Sequence, residues 1–173
     1  MIETPRVRIL KRLAGILRAA DLSGMSGVAN ITVRHTRNRW ANAEEKPAIS
    51  IRMVSDEVNT EAYVTQSERL CYLSVDLQID ADLASEDSDL DPTGLERLGQ
   101  IAGAAMTVLK DETATDDEGN ILRTLCDDVV DEGVQADDDN EADEARFIHR
   151  IVVLYRTLID NPNHLLSHEE SMP

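Results

Sequence analysis

Four histidines (His35, His149, His164, His168), two cysteines (Cys71, Cys126) and 34 Asp+Glu are the groups in this chain that could do chemistry. Zinc needs three or four convergent ligands. The sequence has no CxxC and no HExxH, and its closest histidine pair, His164 and His168 at i and i+4, lies in the tail beyond Pro162. Calcium suits the oxygen-rich stretches better. Yet neither Asp80–Asp91 nor Asp137–Glu144 has the spacing of a calcium loop, with a glycine at its sharp turn, so both read as solvated acidic loops. Nucleophilic catalysis needs a serine or cysteine beside a histidine. There is no GxSxG, and both cysteines fall in apolar patterns, as buried reduced thiols do. Gly24 and Gly27 belong to no phosphate loop, since neither GxGxxG nor GxxxxGKS/T occurs. The expectation is no catalytic residue, no metal, no cofactor and no enzyme.

Binding chemistry is the alternative. Net charge is −17 and unevenly placed. Residues 1–53 hold ten Lys+Arg against four acids, a net of +6, and the remainder holds seven against thirty, a net of −23. Such a split orients a chain on copies of itself or on partners of opposite sign, although acidic loops also simply keep a protein soluble. Arg34, Arg37, Arg39, Trp40 and Arg52 form a basic set with one aromatic, as nucleic-acid readers do. The overall negative field opposes tight phosphate binding. Contact with an acidic face of a neighbouring subunit is the competing use of Arg37, Arg39 and Trp40.

The elements that must position these groups follow from hydropathy. Thr4-Pro5 opens a helix, with Thr4 as cap and Val7, Leu10, Leu13, Ala14, Leu17 and Ala20 on one face. Its Arg and Lys residues admit a membrane-surface reading, but the narrow, alanine-rich apolar face favours packing on a sheet. No run of apolar residues is long enough to span a bilayer, and Met1–Pro5 lacks a signal-peptide core, so the reading is cytosolic with no membrane partner. Strands are expected at Val28–Thr36, Pro47–Val54, Glu68–Ala81 and Val129–Gln135, with Ser55–Ser67 a polar connection. Within Glu68–Ala81, Cys71, Leu73, Val75, Leu77, Ile79 and Ala81 alternate with Tyr72, Ser74, Asp76, Gln78 and Asp80. Gly94–Lys110 reads as a helix whose Gly99 and Gly103 suggest close packing on the sheet, and Asn120–Cys126 as one or two helical turns. The closing strand, Arg146–Asn163, is rich in β-branched and aromatic residues and stops at Asp160-Asn161-Pro162. Both of its faces are largely apolar. The fold class is therefore α+β: a mixed or antiparallel sheet of four to five strands with helices on one face, in a single domain over residues 1–163 followed by a flexible tail, 164–173.

Three segments carry a family resemblance: RNRWANAEEKPAISIRMVSDE after the first helix, RLCYLSVDLQIDA followed by LERLGQIAGAAMTVL, and FIHRIVVLYRTLIDNP. In order and character, residues 5–163 resemble the tail terminator (minor tail) proteins of long-tailed bacteriophages. The closing strand of that family ends in a Tyr/Arg/Thr run before an Asp/Asn-Pro turn, here Tyr155, Arg156, Thr157 and Asn161-Pro162. The resemblance implies a structural virion protein made in the host cytoplasm. It would form a hexameric ring that caps the tail tube protein, stops its polymerisation and offers a docking surface to head-side connector proteins. DNA would pass through the lumen without specific binding, repelled if Asp137, Asp138, Asp139 and Glu141 line it. Another head–tail connector or neck ring protein is the nearest alternative. An acidic DNA-mimic or regulatory protein, or a small metal-dependent enzyme, stands further off.

Overall fold

The computed structural model describes residues 3–35, 41–63, 67–82, 95–136 and 144–166. Helix α1 (Pro5–Ala19) starts where the Thr4-Pro5 signal places it, but the Thr4 side chain makes no capping hydrogen bond. A second short helix, α2 (Leu22–Ser26), occupies what reads in sequence as a plain helix stop. Asp21 caps it by accepting from the Gly24 amide at 2.9 Å, and Gly27 ends it at φ +73°. Helix α3 spans Leu95–Lys110. The strands are β1 (Thr32–His35), β2 (Ala48–Tyr63), β3 (Glu68–Asp82), β4 (Asp128–Ala136) and β5 (Glu144–Leu158).

The five strands form one sheet in the order β1-β2-β3-β5-β4. β1 runs parallel to β2 and the other pairs are antiparallel, so the sheet is mixed. A parallel pair needs a crossover of about a dozen residues, which the segment between His35 and Ala48 supplies. α1 packs over β1 and β2 while α3 packs over β3, β5 and β4. This is the expected α+β architecture with helices on one face.

The core lies between the helices and the inner sheet face. Ile9, Leu13 and Leu17 of α1 and Leu98 and Ile101 of α3 meet Ile49, Ile51, Leu73, Leu77, Ile79 and Ile151, all fully buried. Burying each such side chain stabilises by about 1.5–3 kcal/mol before entropy is counted. The inner face of β3 is the alternating set read from the sequence. Cys71 and Cys126 are buried free thiols, and burial pushes the Cys126 thiol up to about 12.

Several expectations change. β2 does not stop at Val54 but continues to Tyr63, paired with β3 through Val58↔Cys71 and Tyr63↔Arg69 across two irregularities. Ladder bonds carry the strand through the polar Ser55–Asn59 stretch, where no hydrophobic alternation marks it. The first strand is only four residues long, since Asn30 takes φ 58° and breaks the run from Val28. Asn120–Cys126 contains a single 3₁₀ turn, Leu122–Thr124. Gly99 and Gly103 do not face the sheet: both are exposed, and a Cβ on either would meet nothing within 4 Å. The tight helix contact is at Gly15, where a Cβ would come within 3.0 Å of the Asp116 Cβ. At the C-terminal end the packed chain reaches Leu166. Thr157 bridges Leu165, and the Leu166 amide donates to the Arg156 carbonyl at 3.0 Å.

Candidate assembly surface

Arg37, Arg39, Trp40, Asp137, Asp138, Asp139 and Glu141, the contacts expected from the sequence, all lie outside the described residues. Among the described residues, no group of three or more His, Cys, Asp or Glu side chains could hold a metal ion. No helix there is long and apolar enough to cross a membrane. The functional question falls on the face of the sheet that the helices leave uncovered.

Strand pleating puts Arg146, Ile148, Arg150, Val152, Leu154 and Arg156 of β5 on that outer face. The register sets Asp76 of β3 opposite Arg150 and Asp80 opposite Arg146. Arg150 grips Asp76 with two bonds, Nε to Oδ1 at 2.8 Å and Nη2 to Oδ2 at 3.1 Å. The Asp76 bond is the largest cause holding the Arg150 guanidinium above its ordinary value. Arg146 Nε donates to Asp80 Oδ1 at 3.1 Å, and the Ala41 amide donates to the other carboxylate oxygen at 3.4 Å. Asp80 is fully buried, and that burial raises its carboxyl above the ordinary range despite both donors. Arg156 donates to Asp127 through Nε at 2.9 Å and Nη2 at 3.0 Å, and to Glu68 through Nη1 at 3.3 Å.

Between these pairs lies an apolar patch. Tyr72 sits opposite Leu154, and Ser74 and Val130 flank Val152 from either side. Val152 is nearly buried by its neighbours, Tyr72, Ile148 and Leu154 are half-buried, and Val130 is 40% exposed. An apolar centre with a polar rim is the anatomy of a protein interface. Beside it, a small cavity of about 140 Å³ is lined by Glu132, Gly133, Gln135, Ile148 and Arg150.

Among the described residues, the sheet also has unpaired edges. β1 covers β2 only from Ala48 to Ile51, and β4 has a partner on one side only. Exposed Met53, Val54 and Val58 mark one edge, and Val130 and Val134 the other. A bulge between Asp131 and Gly133, with Gly133 at φ +93°, distorts β4 in the way that edge strands are commonly protected from indiscriminate pairing.

The Tyr155-Arg156-Thr157 run has a structural role at each position. The Tyr155 hydroxyl donates to Asp56 Oδ1 at 2.6 Å, and burial with that bond drives the phenol far above its usual value. Arg156 ties β5 to the chain on both sides. Thr157, 1% exposed, accepts from Arg69 Nε at 2.8 Å. Two features went unread in the sequence. One is the arginine–aspartate ladder, whose signal was present: Asp76 and Asp80 are four apart on one face, as are Arg146 and Arg150. The other is His149, buried on the inner face, with Nε2 2.7 Å from Asp131 Oδ1. The Gly133 amide also donates to that oxygen at 2.8 Å, and Lys110 Nζ is 3.6 Å from Oδ2. The His149 bond is the main cause that holds the Asp131 carboxyl below its ordinary value. No spacing in the sequence reveals that pairing, because it depends on the bulge.

No family model matches this sequence, and no curated protein does. Among solved structures, a chain of the "Virion of native gene transfer agent (GTA) particle" shares the fold, with a TM-score of 0.50 over 86% of this chain and 94% of that chain, at 14% identity.

Proposed function

We propose that this protein is a non-enzymatic structural component of a phage-type virion, and specifically a tail terminator. In this reading its copies close into a ring, a hexamer by the family resemblance. The ring sits on the last ring of tube protein, ends polymerisation and presents the surface on which head-side connectors dock. DNA traverses the lumen without specific contacts.

The observation that carries the reading is the outer face of β5. Its apolar patch, rimmed by Arg150–Asp76 and Arg156–Asp127, is left open by the two-layer fold and has the composition of a subunit contact. Two further facts support it. The fold is shared, over nearly the full length of both chains, with a component of a gene transfer agent virion. The sheet's two edges and its outer face are different surfaces, which a heterologous contact that closes into a ring requires.

Negative-stain microscopy of the protein alone and mixed with tail tubes tests the reading. Rings seated on tube ends, with tube growth arrested, are expected. A strict monomer that leaves tubes unchanged sinks it. Rings that form but ignore tubes would instead assign the protein to another tier of the neck.

A further inference from the structure

The helix layer exposes basic side chains, and the outer sheet face exposes carboxylates. On the helix layer, Arg8, Lys11 and Arg18 form one exposed stripe of α1, a helix without a single acidic residue. Among the described residues, Lys11 reaches only Glu3, and Arg18 only the Val33 carbonyl at 3.2 Å. On the outer sheet face the arginines of β5 are engaged, Arg146 with Asp80, Arg150 with Asp76 and Arg156 with Asp127, while half-buried Arg52 of β2 lies on the same face opposite Asp76. Exposed carboxylates there include Glu57, opposite Tyr72, Asp128, held by the Arg123 side chain at 2.9 Å, and Glu132, which lines the cavity beside Ile148 and Arg150. Among the described residues, Arg8 and Glu132 have no ion-pair partner.

We infer that the basic stripe of α1 in one copy docks on the outer sheet face of a second copy, with Glu132 and Asp128 receiving its cations. The inference rests on the ring reading above and supplies the contact that the ring would use. Helices and outer face lie on opposite layers, so neither can satisfy the other within one copy. The contact is front to back, joins two different surfaces and therefore propagates from copy to copy. Long Arg and Lys stems suit it: their methylenes cover Val130, Val152 and Leu154 while their heads reach the carboxylates. A nucleic acid does not fit this face, since its exposed Glu57, Asp128 and Glu132 would repel phosphates.

The test is reciprocal charge reversal followed by sedimentation velocity and native mass spectrometry, with circular dichroism confirming that each variant folds. One variant carries Arg8→Glu, Lys11→Glu and Arg18→Glu. The other carries Asp128→Lys and Glu132→Lys. Each alone should associate at least roughly tenfold more weakly than the wild type. An equimolar mixture should recover association as alternating assemblies, because both of its heterotypic contacts pair opposite charges. Should the helix variant fail to fold, the outer-face variant carries the test, since weakened association is still required of it. If the wild type assembles and both variants assemble equally well, this contact is wrong and the ring stands. If the wild type stays monomeric, alone and with tubes, the ring reading itself fails and the contact with it.

Discussion

Arg150 and Asp76 form one ion pair, but Asp76 is 2% exposed while the Arg150 side chain is 40% exposed. Removing either partner breaks the same two bonds, yet the stranded groups differ. Arg150→Met leaves a carboxylate in a site that water barely reaches. Breaking a buried pair in this way costs about 3–5 kcal/mol, and the partial exposure of the arginine discounts the figure to about 2–3 kcal/mol. Asp76→Asn keeps the volume and one acceptor, and the stranded guanidinium is solvated and close to Glu132, so the cost falls to about 1 kcal/mol. The double variant should cost less than the sum of the two, by about 1–2 kcal/mol of coupling. Urea unfolding followed by circular dichroism measures all three. With a slope of about 1–3 kcal/mol/M, Arg150→Met should move the midpoint by roughly 1 M or more while the slope stays constant. Equal costs for the two single variants, or a larger cost for Asp76→Asn, would refute the claim that burial of the carboxylate governs this pair.

Gly99→Ala and Gly103→Ala should each raise stability by about 0.5–1 kcal/mol, because both sites are exposed helix interior with open space at the Cβ position; an unchanged or lower melting temperature would count against that placement. Gly15→Ala should do the reverse and lower the melting temperature, since its methyl would press on the Asp116 Cβ at 3.0 Å, beside the Arg12–Asp116 bond at 3.1 Å. Asp131→Asn should destabilise by about 1 kcal/mol at neutral pH. The folded Asp131 carboxyl titrates below its free value, so its contribution is full above that free value and is lost as pH falls through the lowered one; the gap between wild type and variant, read by denaturant unfolding, should narrow as the pH is taken below the free carboxylate range. Tyr155→Phe should cost about 1–2 kcal/mol by leaving Asp56 with Arg6, 3.7 Å away, as its remaining partner among the described residues.

The sequence discloses those parts of the fold where one face is apolar and the other is not. β3 and α3 fall within a residue or two of their expected positions because burial imposes a strict period on each. β2 beyond Val54 is invisible to that test. Its Ser55, Asp56 and Glu57 are held by main-chain pairing and by the Tyr155–Asp56 bond, and no periodicity records it. The glycines of α3 mislead for a related reason: a small residue signals close approach only where a neighbour stands, and the neighbouring element stands at Gly15 instead. The assembly surface is half legible. β5 reads as apolar on both faces, which states that something must cover the second face. The charges on that face depend on register, which pattern alone does not specify.

Register also decides what the outer face asks of a partner. Had β5 slipped by two residues so that Arg146 faced Gln78 and Arg150 faced Ser74, both would lose their opposed aspartates and stand as free cations, and the face would recruit acids. In the observed register the three arginines are consumed within the copy, and Asp80, held by both Arg146 and the Ala41 amide, anchors one end of the ladder. What the face still exposes is apolar surface and the carboxylates of Glu57, Asp128 and Glu132. A partner must therefore bring cations on long aliphatic stems. Within this chain, residues 1–53 are the portion with a surplus of them, and α1 holds five of that portion's ten basic residues. The exposed cations of α1 on one layer and the exposed carboxylates of the outer sheet face on the other are the arrangement that a front-to-back contact between identical copies requires.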